Sequence, residues 1–459
     1  MLRAGAAALA TALLSAAPAA AAPGSAGLGD PFFPQAGNGG YDVSHYELDL
    51  NYRRSTNQLE GRTIISARAE QELSSFNLDL RAFMVVADVE VNGADAQFAH
   101  DGGQELTVTP TSPLPQGASF VVRVDYGGTP EPIVDPDGSL EGWVPTDDGA
   151  FVVNEPQGSP GWYPANDNPR DKATFELSIT VPQGITAIGN GRLRSTRTKN
   201  GKTTWHWVED SPMAPYLATA TNGVFDLTVT QAGGIPLYQA VDPTVGNPTL
   251  ARQRLAAEAE IIGFFSGLYG PYPFSSGGGV ADRGGVGYAL ESQTKSMYDT
   301  TSAPAASTVV HEIAHQWFGN AVTLALWPDI WLNEGFARFS EWIYTERHGG
   351  ISAQQSFLNG YNARPASSSF WRTPPAAIPG PAVMFSSPPY DRGGMTLQAL
   401  RVKIGDAAFF ALLRGWYADN RYGNVSTADF IAAAERVSGQ QLDAFFDVWL
   451  YQPVKPTTW

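Results

Sequence analysis

The chain has 459 residues, 43% of them hydrophobic and 16% charged, enough to bury large cores and to build two domains. Its 45 acidic residues against 29 Lys and Arg leave a net charge of −16, which argues against nucleic acid and anionic membrane surfaces as partners. The absence of cysteine excludes disulfides and any lipid anchor carried on cysteine.

At the N-terminus, residues 1–22 read as a signal peptide, with Arg3, an apolar run from Ala6 to Leu14 and small residues over Ala16–Ala22. A secreted, monomeric protein without membrane anchoring after cleavage is expected. Residues 23–40 are rich in Gly, Pro and Ala and are expected to be flexible until they dock. Over 41–226 the pattern is β. Tyr46, Leu48, Leu50 and Tyr52 alternate, and similar runs recur at Thr63–Ala67, Phe120–Val124, Phe175–Val181 and Thr203–Val208. Turn pairs such as Asn92-Gly93 and Asn200-Gly201 separate them, as in an antiparallel sandwich or curved sheet.

Over 227–459 the period changes to helical. Leu250–Leu268 form an amphipathic helix ended by Gly270-Pro271, and helices near Asp406–Ala418, Thr427–Val437 and Leu442–Tyr451 close the chain. Ser426 or Thr427 is expected to cap the middle one. A Gly-rich strand region near Gly277–Gln293 lacks the Gly-Lys-Ser/Thr ending of a phosphate loop, so nucleotide binding is not expected. The fold class is α+β, a β domain followed by a mainly helical one.

Within the helical half lies His311-Glu312-Ile313-Ala314-His315, followed after eighteen residues by Glu334. On a helix spanning Ser307–Phe318, His311 and His315 are one turn apart and share a face. Glu334 opens a second helix from near Asn333. Two imidazoles and a carboxylate leave a tetrahedral Zn²⁺ one position open for water, the composition of a catalytic centre. Glu312 is then placed as general base.

The stretches His311–Asn320 and Trp331–Ala337 resemble the gluzincin zinc aminopeptidases, the family of aminopeptidase N and leukotriene hydrolase, and matches run from about Gly39 onward. The resemblance implies a saddle-like β domain and a thermolysin-like catalytic domain. It also implies one Zn²⁺ on His311, His315 and Glu334, Glu312 as base, and Glu341 as a carboxylate behind a ligand histidine. Tyr390, in Tyr-Asp-Arg-Gly-Gly-Met, matches the family tyrosine that stabilises the oxyanion, with Arg392 where lysine is usual. Glu291 lies where the family carries Gly-Ala-Met-Glu-Asn, with Tyr288, Leu290 and Ser292 as departures. Glu291 and Glu155 are the implied ligands of a substrate α-amine. Many relatives add a helical domain over the site, whereas this sequence ends soon after the catalytic helices, so a more open cleft is expected. Peptides are the expected substrates, cleaved from the amino terminus. A zinc endopeptidase is the alternative, and an epoxide hydrolase a more distant one.

Overall fold

The computed structural model describes residues 21–459, so all but the end of the signal-peptide reading lies outside the described residues. An eight-stranded sheet organises the first half. Its strands run in the spatial order Arg192–Lys199, Lys202–Met213, Ala173–Pro182, Tyr41–Arg53, Gln58–Ala69, Ser119–Gly128, Met84–Val91 and Ala94–Asp95. Alternation along Tyr41–Arg53 turns Tyr46, Leu48, Leu50 and Tyr52 inward, and each is buried. A five-stranded and a four-stranded sheet complete the layers, and Trp143, Phe151, Trp162 and Trp207 lie fully buried in the shared core.

The expected sheet pattern needs correction. The sheet is not wholly antiparallel, because Tyr41–Arg53 and Ala173–Pro182 pair in parallel, His45 opposite Thr174 through Asn51 opposite Thr180. The long excursion between these strands returns the chain to the same end of the sheet, which is what parallel pairing requires. Residues 23–40, expected to be mobile before docking, are docked. Phe33 and Ala36 are buried, Phe33 packs edge-on against Trp327 at 6.2 Å, and Asp30 accepts the Trp327 N–H at 2.8 Å. Its glycines serve turns: Gly27 and Gly37 sit at φ +98 and +72, and the Gly37 N–H donates to Asp79.

The second half begins with a five-stranded sheet, Asp226–Ala232, Ile235–Val241, Gly277–Asp282, Ser296–Asp299 and Ala289–Leu290 in spatial order. The single helix expected over Leu250–Leu268 is two, Pro248–Ala256 and Glu258–Tyr269. The helix of the histidine pair covers Ala306–His315 and stops short of Phe318. Helix Trp331–Arg347 starts before Asn333, so Glu334 falls in its first turn. This helix lies directly against Gly393–Ile404: a Cβ on Gly335 would stand 2.9 Å from the Gly393 Cα, a contact only two glycines permit. Ser426 caps Thr427–Ser438 in a capping box with Asp429. The core of this half runs from Phe265 and Trp317 through Phe336 to Phe430 and Trp449.

Candidate active site

The two histidines are held in one tautomer each. His311 Nδ1 lies 2.7 Å from Glu341 Oε1, and His315 Nδ1 lies 3.0 Å from the Phe318 carbonyl. A carboxylate and a carbonyl accept, so both Nδ1 atoms donate outward and both Nε2 atoms face the centre of the site. The two Nε2 atoms converge on Glu334 Oε2, at 3.1 Å from His311 and 3.4 Å from His315. The ligand atoms of the three residues lie within 4.8 Å of one another. Glu291, Glu312 and His315 form an overlapping trio at the same spacing.

Electrostatics identify what this arrangement accepts. Burial by itself would lower the His315 pKa, but Glu291 and Glu334 lift it to about 9, and Glu334 and Glu341 raise His311 likewise. Burial would raise Glu334, yet the two imidazoles bring it down to about 2. The field between these groups therefore favours positive charge, and a divalent ion bound by neutral imidazoles meets that demand. Two nitrogens and a carboxylate oxygen, with the outer nitrogens already engaged, suit one Zn²⁺.

The remaining carboxylates surround the triad. Glu312, nearly buried, has its pKa pushed up to about 8 by burial, with the histidines acting against the shift. Glu155 and Glu291 are raised by burial, and Glu155 further by the charge of Glu291. Each keeps a buried oxygen without a hydrogen-bond partner among the described residues. Tyr390 stacks against His311, ring centroids 5.9 Å apart. These residues line one cleft of about 480 Å³ at the junction of the two halves, with Glu155 entering from the β side. Every candidate site residue is thus brought to one place, with Glu341 on the wall behind His311.

Several residues that shape this place were not singled out in the sequence. Gln316 Nε2 and Asn320 Nδ2 both donate to the Glu291 carbonyl, at 3.0 and 2.7 Å, and fix the strand that carries that carboxylate. Both stand in the stretch His311–Asn320, past the last helical residue, where polar residues among buried neighbours were the available signal. Arg338 donates to both oxygens of Glu341, 3.0 and 2.9 Å away, and lies 3.2 Å from Asp391. Lys172 of the β half, half-buried, donates to the carbonyls of Asn320, Ala321 and Gly423 at 3.0–3.2 Å and joins the two halves. Asp137, Ser139 and Phe385 line the cleft from loops that carry no motif.

Comparison with known proteins agrees with this geometry. The Peptidase M1 N-terminal domain matches residues 43–217 and the Peptidase family M1 domain matches residues 288–449. A zinc metallopeptidase of that family from Deinococcus radiodurans superimposes with a TM-score of 0.86 at 29% identity, over 94% of this chain and 98% of its own. A related crystal structure from the same organism, bound to a Tyr-Ser-Ala substrate, gives 0.85 at 28%. Among curated proteins, aminopeptidase N of Streptomyces lividans is 25% identical over 89% of this chain and 50% of its own length. Aminopeptidase A of Gloydius brevicauda is 25% identical over 89% and 46%. The chain thus spans about half the length of these curated relatives. It belongs to the peptidase M1 family, in the two-domain arrangement of a β-rich N-terminal domain and a helical domain bearing a zinc site. Among the described residues no helix is long and apolar enough to cross a membrane.

Proposed function

We propose that the protein is a zinc aminopeptidase, removing residues one at a time from the free amino terminus of peptides, and that it acts outside the cell. The observation that carries this reading is the pair Glu155 and Glu291, each offering a buried, unpartnered oxygen to the cleft that holds the metal triad. A carboxylate pair in such a place calls for a cation, and a peptide's α-ammonium supplies one with charge-assisted hydrogen bonds.

Held by His311, His315 and Glu334, zinc would act as a Lewis acid on the scissile carbonyl and on a water. Glu312 takes the proton from that water and passes it to the departing amine. The Tyr390 hydroxyl donates to the carbonyl oxygen as negative charge gathers there. Glu341 keeps His311 in the Nδ1–H tautomer. With the ammonium anchored by Glu155 and Glu291, the first peptide bond is the one presented to these groups. The test compares an aminoacyl-nitroanilide with its N-acetylated form. Acetylation should remove most of kcat/KM, whereas equal rates would exclude the aminopeptidase reading in favour of an endopeptidase.

A further inference from the structure

The wall next to the amine anchors bears on which first residue the cleft takes, and this step rests on the aminopeptidase reading above. Beyond Glu155 the cleft is bounded by Tyr288, Phe385 and the tip of the hairpin between strands Ile133–Val134 and Leu140–Pro145. The tip is tied down. The Tyr288 hydroxyl donates to the Leu140 carbonyl at 2.8 Å. Gln157, two residues after Glu155, donates through Nε2 to Asp135 at 3.0 Å and through its N–H to Glu141 at 3.1 Å. Hairpin tip, Tyr288 strand and amine anchor are therefore one connected unit.

At that tip stands Asp137. One of its oxygens accepts both the N–H and the hydroxyl of Ser139, at 2.9 and 2.6 Å, which orients the carboxylate and leaves the other oxygen available. Among the described residues no lysine, arginine or histidine forms an ion pair with it. The other lining carboxylates have assigned work: Glu155 and Glu291 for the α-ammonium, Glu334 for the metal, Glu312 for the proton, Glu341 for His311. The one arginine in the lining, Arg338, is engaged by Glu341 and Asp391.

We propose that Asp137 makes this cleft selective for peptides whose first residue is arginine or lysine. Such a side chain has an apolar stem that can lie along the Tyr288 and Phe385 rings while its charged end reaches the water-exposed rim. Asp137 is exposed, so the interaction resembles a surface ion pair and amounts to about a fivefold preference, not an absolute one.

The experiment measures kcat/KM for arginyl-, lysyl-, leucyl- and glutamyl-nitroanilides with the zinc-loaded protein, then with Asp137→Asn and Asp137→Lys. The expected order is arginyl and lysyl first and glutamyl last. Asp137→Asn should lower the arginyl-to-leucyl ratio about fivefold, mainly through KM and less so in high salt. Asp137→Lys should raise the glutamyl-to-arginyl ratio. A native preference for leucyl over arginyl, or ratios indifferent to both substitutions, would overturn the proposal while leaving the aminopeptidase reading intact. Failure to cleave any of these free-amine substrates would overturn both.

Discussion

Glu341 accepts a hydrogen bond from His311 Nδ1 at 2.7 Å and, with the same carboxylate, two from Arg338. Arg338 in turn pairs with Asp391, the residue after Tyr390. Two hydrogen-bonded steps and one ion pair thus link a metal-ligand histidine to the turn that carries the cleft tyrosine, so that the two are positioned relative to one another.

Removing the middle of that link should loosen the metal first. Glu341→Ala frees the His311 ring to rotate and to change tautomer, and should weaken zinc by about 10–100-fold, as outer partners of metal-ligating histidines generally do. Competition with a chelating dye measures it, and unchanged affinity would show that Glu341 serves only the surface around Arg338.

Glu312→Gln should keep zinc and the fold but lose nearly all hydrolysis, since an amide cannot accept the proton of water. Tyr390→Phe should also keep zinc, with kcat falling about a hundredfold for one lost oxyanion donor. Metal content and steady-state kinetics on the same samples check both, and an unaltered kcat in Tyr390→Phe would remove that residue from the mechanism.

Arg392 stands where relatives are expected to carry lysine, and its surroundings give the reason for arginine here. Fully buried, its guanidinium donates to the carbonyls of Trp371, Val448, Trp449 and Gln452 at 2.7–2.9 Å. An ammonium has three hydrogens and no planar fork, so Arg392→Lys leaves at least one buried carbonyl unpaired. A loss of about 1–3 kcal/mol in denaturant-induced unfolding is expected.

Stability should also depend on pH through Glu258. It is fully buried, with neither carboxylate oxygen hydrogen-bonded among the described residues, and burial pushes its pKa up to about 8. A folded pKa above the unfolded value of 4.5 means that the native state holds the extra proton. The stabilisation is therefore complete below about pH 4.5 and is lost as pH rises through about 8. Glu258→Gln, neutral at all pH, should flatten the fall in thermal midpoint between mildly acidic and alkaline buffer. A variant whose midpoint falls as steeply as the native protein's would contradict this.

What was legible in the sequence follows from how locally each feature is encoded. His311, Glu312 and His315 sit on one short helix, so helix geometry places the two histidines on one face, while Glu334, on the next helix, was legible only through the motif interval and the family resemblance. The alternation from Tyr46 to Tyr52 likewise marks a strand buried on one face. Pairing partners are not local: the parallel union of Tyr41–Arg53 with Ala173–Pro182 depends on where a long excursion returns. Composition over 23–40 did not tell how the segment docks, because glycine and proline suit a loop that is pinned by Asp30 and Phe33 as well as one that is free. Arg338 and Asp137 escaped notice because each is an ordinary charged residue on its own element, and only tertiary packing brings them to the cleft, Arg338 with Asp391 paired to it.

The central claim is that cleavage starts at a free amino terminus because Glu155 and Glu291 hold it. The most direct measurement is a time course of a decapeptide digested by the zinc-loaded protein and read by mass spectrometry. The account predicts a ladder that loses one residue at a time from the N-terminus, slowed strongly by N-acetylation and by Glu291→Ala. Internal fragments at early times, with the first residue still attached, would contradict it.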